Sequence, residues 1–266
     1  MTVSNMYLGT SSWTAVGWET AFYPPDTKQS EFLPFYAREF NSVEVDSTFY
    51  RIPSAKTVEQ WRDRTPEGFI FAAKIPQTIT HEKALVNAED DLKEFLGVMD
   101  LLGPKLGPLL IQLPYFNRQR FTGLDSFLRV LEPFLGSLPQ GHQWAVEIRN
   151  RHWLSEKLFS MLRGHGVAFA LIDHPWMPRP KEVFERGNPV TADFTYVRWL
   201  GDRKGIEERT LVWDRTIVDR REELREWVRV LKQVQKRNLR IYAFMNNHYA
   251  GFAPATVRLF NELWVE

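Results

Sequence analysis

The stretch WAVEIRNRHW at residues 144–153 decides how this sequence folds. Its first half has period two, which is typical of a buried strand, with apolar side chains at Trp144, Val146 and Ile148. Glu147 and Arg149 then share one face at the carboxyl end of the strand. Charge is costly to remove from water unless it is paired. The pair is therefore either a buried salt bridge that holds a loop or, in the interpretation we prefer, the floor of a pocket.

Eight strands can be recognised along the chain, and nearly all are followed by a helical pattern. They are predicted at Met6–Ser12, Ser42–Asp46, Phe69–Ile75, Leu109–Leu113, 144–149, Val167–Ile172, Phe194–Leu200 and Arg240–Met245. Strict alternation in about 250 residues predicts an α/β fold with a closed parallel sheet, the (β/α)8 TIM barrel. Residues 1–266 are expected to form a single domain, because no linker or repeat is visible. Prolines and glycines between Pro175 and Pro189 predict that helix six is short or missing.

Composition bounds the classes of protein to which the chain can belong. The 266 residues are 44% apolar and 25% charged, which is typical of a globular protein. A net charge of +1 favours neither a nucleic-acid binder nor a membrane binder. No cysteine is present, so disulfides, thiolate nucleophiles and cysteine-held metals are excluded. No signal peptide or membrane span is recognised, and we predict a cytoplasmic protein without a membrane partner.

Polar residues lie at the carboxyl end of every predicted strand, where TIM barrels carry their active sites. They are Ser11, Ser12, Glu44, Asp46, Lys74, Gln112, Glu147, Arg149, Asp173, Arg198, Asn246 and Asn247. A barrel stabilised by packing alone would not need polar groups at the same end of all eight strands. We therefore predict that they line one pocket. A shift of one residue in the register of a strand would turn its polar residue outward.

The charges predict what this pocket binds. Lys74, Arg149 and Arg198 favour an anion, since arginine contacts carboxylate or phosphate with two parallel hydrogen bonds. We expect an enzyme with acid–base chemistry on a small polar or anionic substrate, and Glu44 and Glu147 are its candidate acid and base. The other polar strand-end residues are expected to bind the substrate: Ser11, Asp46, Gln112, Asp173, Asn246 and Asn247. Paired carboxylates would also suit glycoside hydrolysis.

Two more candidate catalytic groups have structural alternatives. Lys74 suits a general base or a Schiff-base amine if it is desolvated, and otherwise an ion pair with Glu44 or Glu147. His81 follows strand three and suits a proton donor at the pocket rim, or else a surface or structural role. A small-molecule binding or sensing protein without turnover is the alternative to an enzyme.

A metal-dependent hydrolase or isomerase is a further alternative. Glu44, Glu147, Asp173 and a histidine offer oxygen and nitrogen ligands. However, the spacings H-E-x-x-H and D-x-D are absent, and three cations in the same ring would repel a metal ion. No residue is therefore assigned as a metal ligand. A divalent metal stays open, and the sequence implies no other cofactor.

The helix predicted at Asp219–Arg237 carries a stripe of cations beside its apolar stripe: Arg221, Arg225, Arg229, Lys232 and Lys236. Such a stripe could lie along phosphates. Glu222, Glu223 and Glu226 on the same helix dilute its field. We therefore predict a solvated outer face, without tight binding to DNA or RNA. The oligomeric state is left open by the sequence.

Seven motifs resemble, in order, those of the YecE-like family, also called domain of unknown function 72. They are GTSSW (9–13), FNSVEVDSTFYRIPS (40–54), FIFAAKIPQTITH (69–81), LLIQLPYF (109–116), AVEIRNRHW (145–153), YVRWLG (196–201) and IYAFMNNHYAGFAP (241–254). The resemblance implies a TIM barrel found in bacteria and archaea, and it supplies no reaction. Ile148 and His152 depart from the family's E-F-R-x-x-S-W motif, and His248 stands where the family often has aspartate.

Overall fold

Eight parallel strands form the centre of the protein in a computed structural model, which describes residues 5–237 and 239–266. The strands are β1 (Met6–Thr10), β2 (Ser42–Val45), β3 (Ile70–Lys74), β4 (Leu106–Gln112), β5 (Trp144–Glu147), β6 (Ala168–Asp173), β7 (Phe194–Trp199) and β8 (Arg240–Met245). They pair in the order β1-β8-β7-β6-β5-β4-β3-β2. The predicted α/β fold of the TIM-barrel type is confirmed.

Helices follow every strand and cover the outside of the barrel. They are α1 (Trp18–Ala21), α2 (Gln29–Glu39), α3 (Ala55–Asp63), α4 (Glu89–Met99), α5 (Leu124–Ser137), α6 (Glu156–Gly164), α7 (Pro180–Glu185), α8 (Arg203–Glu207), α9 (Arg221–Gln235), α10 (Asn247–Ala250) and α11 (Ala253–Val265). The helix after β6 is short, with six residues, as the prolines and glycines predict. Two segments predicted as loops contain the five-residue α8 and a π-helical turn at Thr78–Glu82. Within the described ranges, no helix is long and apolar enough to cross a membrane.

Alternate residues of each strand face opposite sides of the barrel wall. On β6, Ala168 and Ala170 belong to an apolar cluster inside the barrel. Phe169 and Leu171 belong to the larger core between the strands and the helices. A strand buried on both faces needs apolar residues on both, which explains its nearly continuous apolar run. The same alternation decides which polar side chains at the strand ends can face the interior.

Side chains join β1 to β2, which stand at the two ends of the strand order. Asn41 accepts a hydrogen bond from the Leu8 N–H at 2.9 Å. The Tyr36 hydroxyl accepts one from the Thr10 N–H at 2.8 Å and donates one to the Ser42 carbonyl at 3.1 Å. These bonds satisfy backbone groups that would otherwise be buried without partners. Side-chain hydrogen bonds therefore link the two strands at the seam where the strand order begins and ends.

Candidate functional site

Arg198 on β7 lies at the centre of the polar residues inside the barrel. Its Nη2 donates to Glu44 Oε1 of β2 at 2.7 Å, and its Nη1 donates to Glu147 Oε2 of β5 at 2.6 Å. All three side chains are almost fully buried. Burial alone would lower the pKa of Arg198, but Glu44 and Glu147 raise it well above the usual arginine value. The strand ends therefore bring three of the predicted residues together as a charged, closely bonded group.

Two neighbours complete the bonding of this group. The Tyr196 hydroxyl donates to Glu44 Oε2 at 2.6 Å. Gln112 at the end of β4 accepts from Arg198 Nη1 at 3.3 Å. Burial, and then the charge of Glu44, raise the pKa of Tyr196 well above its usual value, so the hydroxyl keeps its proton. Sequence reasoning missed Tyr196, although it lies two residues before Arg198 on the same face of the strand.

Glu147 also holds Arg149, which follows β5. The Arg149 Nε donates to Glu147 Oε1 at 2.6 Å, and the Arg149 side chain keeps 20% of its surface exposed. Burial would raise the pKa of Glu147, but Arg149 and Arg198 outweigh it and lower the pKa to about 2. Glu147 is therefore a fixed anion at neutral pH and suits a general acid poorly. Among the described residues, the two Nη atoms of Arg149 have no hydrogen-bond acceptor, so these donors are available to a ligand.

Lys74 at the end of β3 pairs with a carboxylate other than the two expected partners. Its Nζ lies 2.6 Å from Asp46 Oδ1, whereas the sequence alternative paired it with Glu44 or Glu147. The ammonium group also lies 5.0 Å from the centroid of the Phe49 ring, within the range of a cation–π contact. Lys74 is therefore a buried cation with one carboxylate partner. It has donors left for a ligand, because an ammonium group carries three.

Two imidazoles stand near these cations. His81 is partly buried, and its ring packs edge-on against Phe49 at 4.9 Å. Burial, followed by the charges of Lys74 and Arg149, lowers the pKa of His81. Burial and then Arg149 lower the pKa of His174, which follows β6, to about 4. Both rings are therefore neutral at pH 7. His174 was not among the predicted residues, although like His81 it lies in the segment that follows a strand.

Four of the predicted binding residues line one cavity of about 310 Å³ at the carboxyl ends of β1, β2 and β8. They are Ser11, Asp46, Asn246 and Asn247. A second cavity of about 490 Å³ lies at the loops after β6 and β7 and includes His174 and the exposed Trp176. Both cavities lie at the end of the barrel that also carries Lys74 and Arg149, although neither of these residues lines them. The carboxyl ends of the strands therefore carry space for a ligand as well as charge.

Asp173 is not part of this assembly. It shares the outward face of β6 with Phe169 and Leu171, and its carboxylate contacts the outer helices instead. The Trp227 Nε1 donates to Asp173 Oδ2 at 2.7 Å, and the Arg179 Nη1 lies 3.1 Å away. The alternation of the strand explains this placement, because Asp173 lies an odd number of residues from the inward-facing Ala168 and Ala170.

The structure also bears on the alternatives raised by the sequence. Within residues 5–237 and 239–266, no group of three His, Cys, Asp or Glu side chains is placed to hold a metal ion. Glu44 and Glu147 bind one guanidinium between them, so they do not flank an open cleft as paired glycosidase carboxylates do. On α9, Arg225 lies 2.6 Å from Glu222, which weakens the cationic stripe. The absence of tight binding to DNA or RNA stays a prediction.

Comparisons with known proteins show the family of this chain. The profile described as protein of unknown function DUF72 matches residues 7–266. The UPF0759 protein YecE of Escherichia coli K12 is 33% identical over 201 residues, covering 68% of this chain and 72% of YecE. The UPF0759 protein YunF of Bacillus subtilis is 26% identical over 272 residues, covering 93% and 90%.

A solved structure gives the same result. A DUF72 family protein from Thermotoga maritima matches with a TM-score of 0.76 and 27% identity, covering 98% of this chain and 99% of that one. The resemblance inferred from the seven motifs is thus confirmed. A shared fold does not identify a reaction, since one barrel supports many. The chain therefore belongs to the DUF72 family of proteins of unknown function.

Proposed function

We propose that this protein is an enzyme that binds a small anionic substrate at the carboxyl face of the barrel and moves a proton on it. The observation that carries the proposal is the position of Arg149. Its Nε is fixed by Glu147 at 2.6 Å, its side chain keeps 20% of its surface exposed, and its Nη atoms have no acceptor among the described residues. A guanidinium held in this way offers two parallel donors to a carboxylate or a phosphate.

The surrounding charges support an anion at this position. Lys74 is buried beside Asp46 and adds a second cation. The neutral His81 and His174 can offer a hydrogen bond without adding a charge. Because Glu147 is shared between Arg149 and Arg198, its negative charge is already neutralised by two cations. Three cations, Lys74, Arg149 and Arg198, thus balance three carboxylates, Glu44, Asp46 and Glu147, so the anion would be held by the donors of Arg149 and Lys74 and not by an excess of positive charge.

The four candidate catalytic residues take two different roles. Glu44 and Glu147 are positioning residues, because both are bonded to Arg198 in the interior. His81 is the candidate general base, since a neutral imidazole can accept a proton at physiological pH. Lys74 is the candidate donor that stabilises negative charge on the reacting substrate.

The test is an incubation of the purified protein with a bacterial metabolite extract, followed by mass spectrometry. We expect one anionic compound to be consumed and a product to form at a rate proportional to protein concentration. His81→Gln and Lys74→Met should lower this rate by about two to four powers of ten. His165→Gln is the matched control, because His165 is exposed on a loop at the opposite end of the barrel. Unchanged turnover in His81→Gln would remove the assignment of the base.

A binding or sensing protein is the second candidate, and one observation favours it. Glu44, Glu147 and Arg198 bond to one another, which leaves none of them free to act on a substrate. In the same experiment, a sensing protein would retain an anion that is recovered unchanged after long incubation. Loss of that retention in Arg149→Gln, without any product in the parent protein, would decide for this candidate.

A further inference from the structure

We propose that the anion-binding residues continue into the cavity beside β1, β2 and β8, and that the ligand is a polyhydroxylated anion such as a sugar phosphate or a sugar acid. The inference rests on the proposed function, because the anionic end of the ligand is assigned to Arg149 and Lys74. It adds a second half of the site, the hydroxyl subsite, defined by Ser11, Asp46, Asn246 and Asn247.

The two asparagines present their amide NH2 groups as donors. Asn246 Oδ1 accepts from the His248 N–H at 3.0 Å, which caps α10. Asn247 Oδ1 accepts from the Ala253 N–H at 2.9 Å. These backbone bonds fix the orientation of both amides, since only the oxygen can accept. Neither Nδ2 has an acceptor in the part of the chain that the structure describes, so both remain available to the cavity.

Ser11 and Asp46 add the complementary groups. Ser11 is 6% exposed, and its hydroxyl has no hydrogen-bond partner among the residues described. A hydroxyl both donates and accepts, and a carboxylate such as Asp46 only accepts. A wall with amide donors, a carboxylate acceptor and a free hydroxyl matches the vicinal hydroxyls of a polyol, each of which also donates and accepts. Tyr50, which is 67% exposed, supplies an aromatic edge to the same cavity.

The two halves of the site share a wall. Asp46 lines the hydroxyl subsite and contacts Lys74 at 2.6 Å. Arg198 lies 3.8 Å from Asp46 and 2.6 Å from Glu147, which holds Arg149. One guanidinium and one carboxylate therefore separate the hydroxyl subsite from the cation that would bind the anion. Lys74 adjoins the hydroxyl subsite directly through Asp46, which suits a single molecule that carries its anionic group and its hydroxyls on one carbon chain.

A neutral sugar or inorganic phosphate would each satisfy only one half of the site. A neutral sugar would fill the hydroxyl subsite and leave the edge of Arg149 without an acceptor. Inorganic phosphate would satisfy Arg149 and leave Ser11 and the two asparagine amides without partners. Unpaired polar groups in a closed site weaken binding. A molecule with both features satisfies all of them at once.

The experiment is calorimetric titration of the intact protein with a fixed panel of probes. The polyhydroxylated anions are glucose 6-phosphate, fructose 6-phosphate and gluconate, and the comparison compounds are glucose, fructose, inorganic phosphate and acetate. We expect at least one polyhydroxylated anion to bind about tenfold or more tightly than every comparison compound. Ser11→Ala should weaken that binding roughly three- to tenfold and leave phosphate binding unchanged. Arg149→Gln should weaken both.

Ser160→Ala and Arg229→Gln are the matched controls, because both residues are exposed on outer helices. They should leave all affinities unchanged. If phosphate binds through Arg149 as tightly as any sugar phosphate, the hydroxyl subsite is wrong and the proposed anion site stands. Equal binding of glucose or fructose also overturns the inference. If none of the probes binds, the inference is overturned, while turnover in the metabolite extract separately decides the proposed function.

Discussion

Arg198 Nη2 lies 2.7 Å from Glu44 Oε1 across the inside of the barrel, and both side chains are almost fully buried. The same guanidinium bonds Glu147 on its other side. Two carboxylates thus meet one arginine near the carboxyl ends of the strands, the end at which characterised TIM-barrel enzymes carry their active sites. This group contributes to the stability of the fold, because each buried charge needs its partners to remain in the interior.

Removal of Arg198 is expected to destabilise the fold strongly. In Arg198→Met, Glu44 and Glu147 would remain buried without their common partner, and breaking a buried pair in this way costs about 3–5 kcal/mol. The measurement is the free energy of unfolding in urea. Arg229→Met, at an exposed position on α9, should change it by less than about 0.5 kcal/mol. A loss as small as the control in Arg198→Met would contradict the bonding described here.

Stability should fall as the pH drops below the usual pKa of a glutamate. The pKa of Glu147 is about 2 in the folded protein, against 4.5 when unperturbed. The unfolded chain therefore binds a proton first, and stability present above about pH 4.5 is lost as the pH falls towards 2. The loss from this group is on the order of 3 kcal/mol. Urea unfolding between pH 6 and 3 should show a shallower decline in Glu147→Gln, and equal slopes would argue against a lowered pKa.

Two glycine substitutions are expected to change stability in opposite directions. A Cβ at Gly9 would lie 1.9 Å from the Ser42 carbonyl oxygen, so Gly9→Ala would force β1 and β2 apart. We expect a loss of about 1–3 kcal/mol or more. Gly97 lies exposed within α4 and has open space at its Cβ position, so Gly97→Ala should gain about 0.5–1 kcal/mol. Thermal unfolding of the two variants checks both signs, and a stable Gly9→Ala would rule out the close seam.

Asp173 should matter for stability and not for the ligand. Asp173→Ala leaves the buried Trp227 and Tyr249 donors without their acceptor, which costs about 1–3 kcal/mol for a buried group. The change should appear in the free energy of unfolding measured in urea. Phosphate affinity should stay within twofold of the parent, whereas Arg149→Gln lowers it. A selective loss of phosphate binding in Asp173→Ala would place this carboxylate in the site after all.

Particular residues show how far sequence reasoning reached. Period two correctly put Glu147 and Arg149 on one face, and the structure joins them at 2.6 Å. Applied to β6, the same alternation predicts that Asp173 faces outward with Leu171, because Asp173 lies an odd number of residues from Ala170. The alternation could also have identified Tyr196 as an inward-facing residue, since it shares a face with Arg198. It could not have oriented His174, because a residue in a loop has no periodic neighbours.

The sequence by itself determined the order of strands and helices, the short helix after β6 and the gathering of polar groups at one end of the barrel. These properties depend on local alternation and on the parallel direction that helical crossovers impose. The tertiary structure alone decided the partners of each charge. Arg198 bonds Glu44 and Glu147, which lie 154 and 51 residues away, and Lys74 forms an ion pair with Asp46. Such partners depend on distances across the closed barrel, which no spacing along the chain contains.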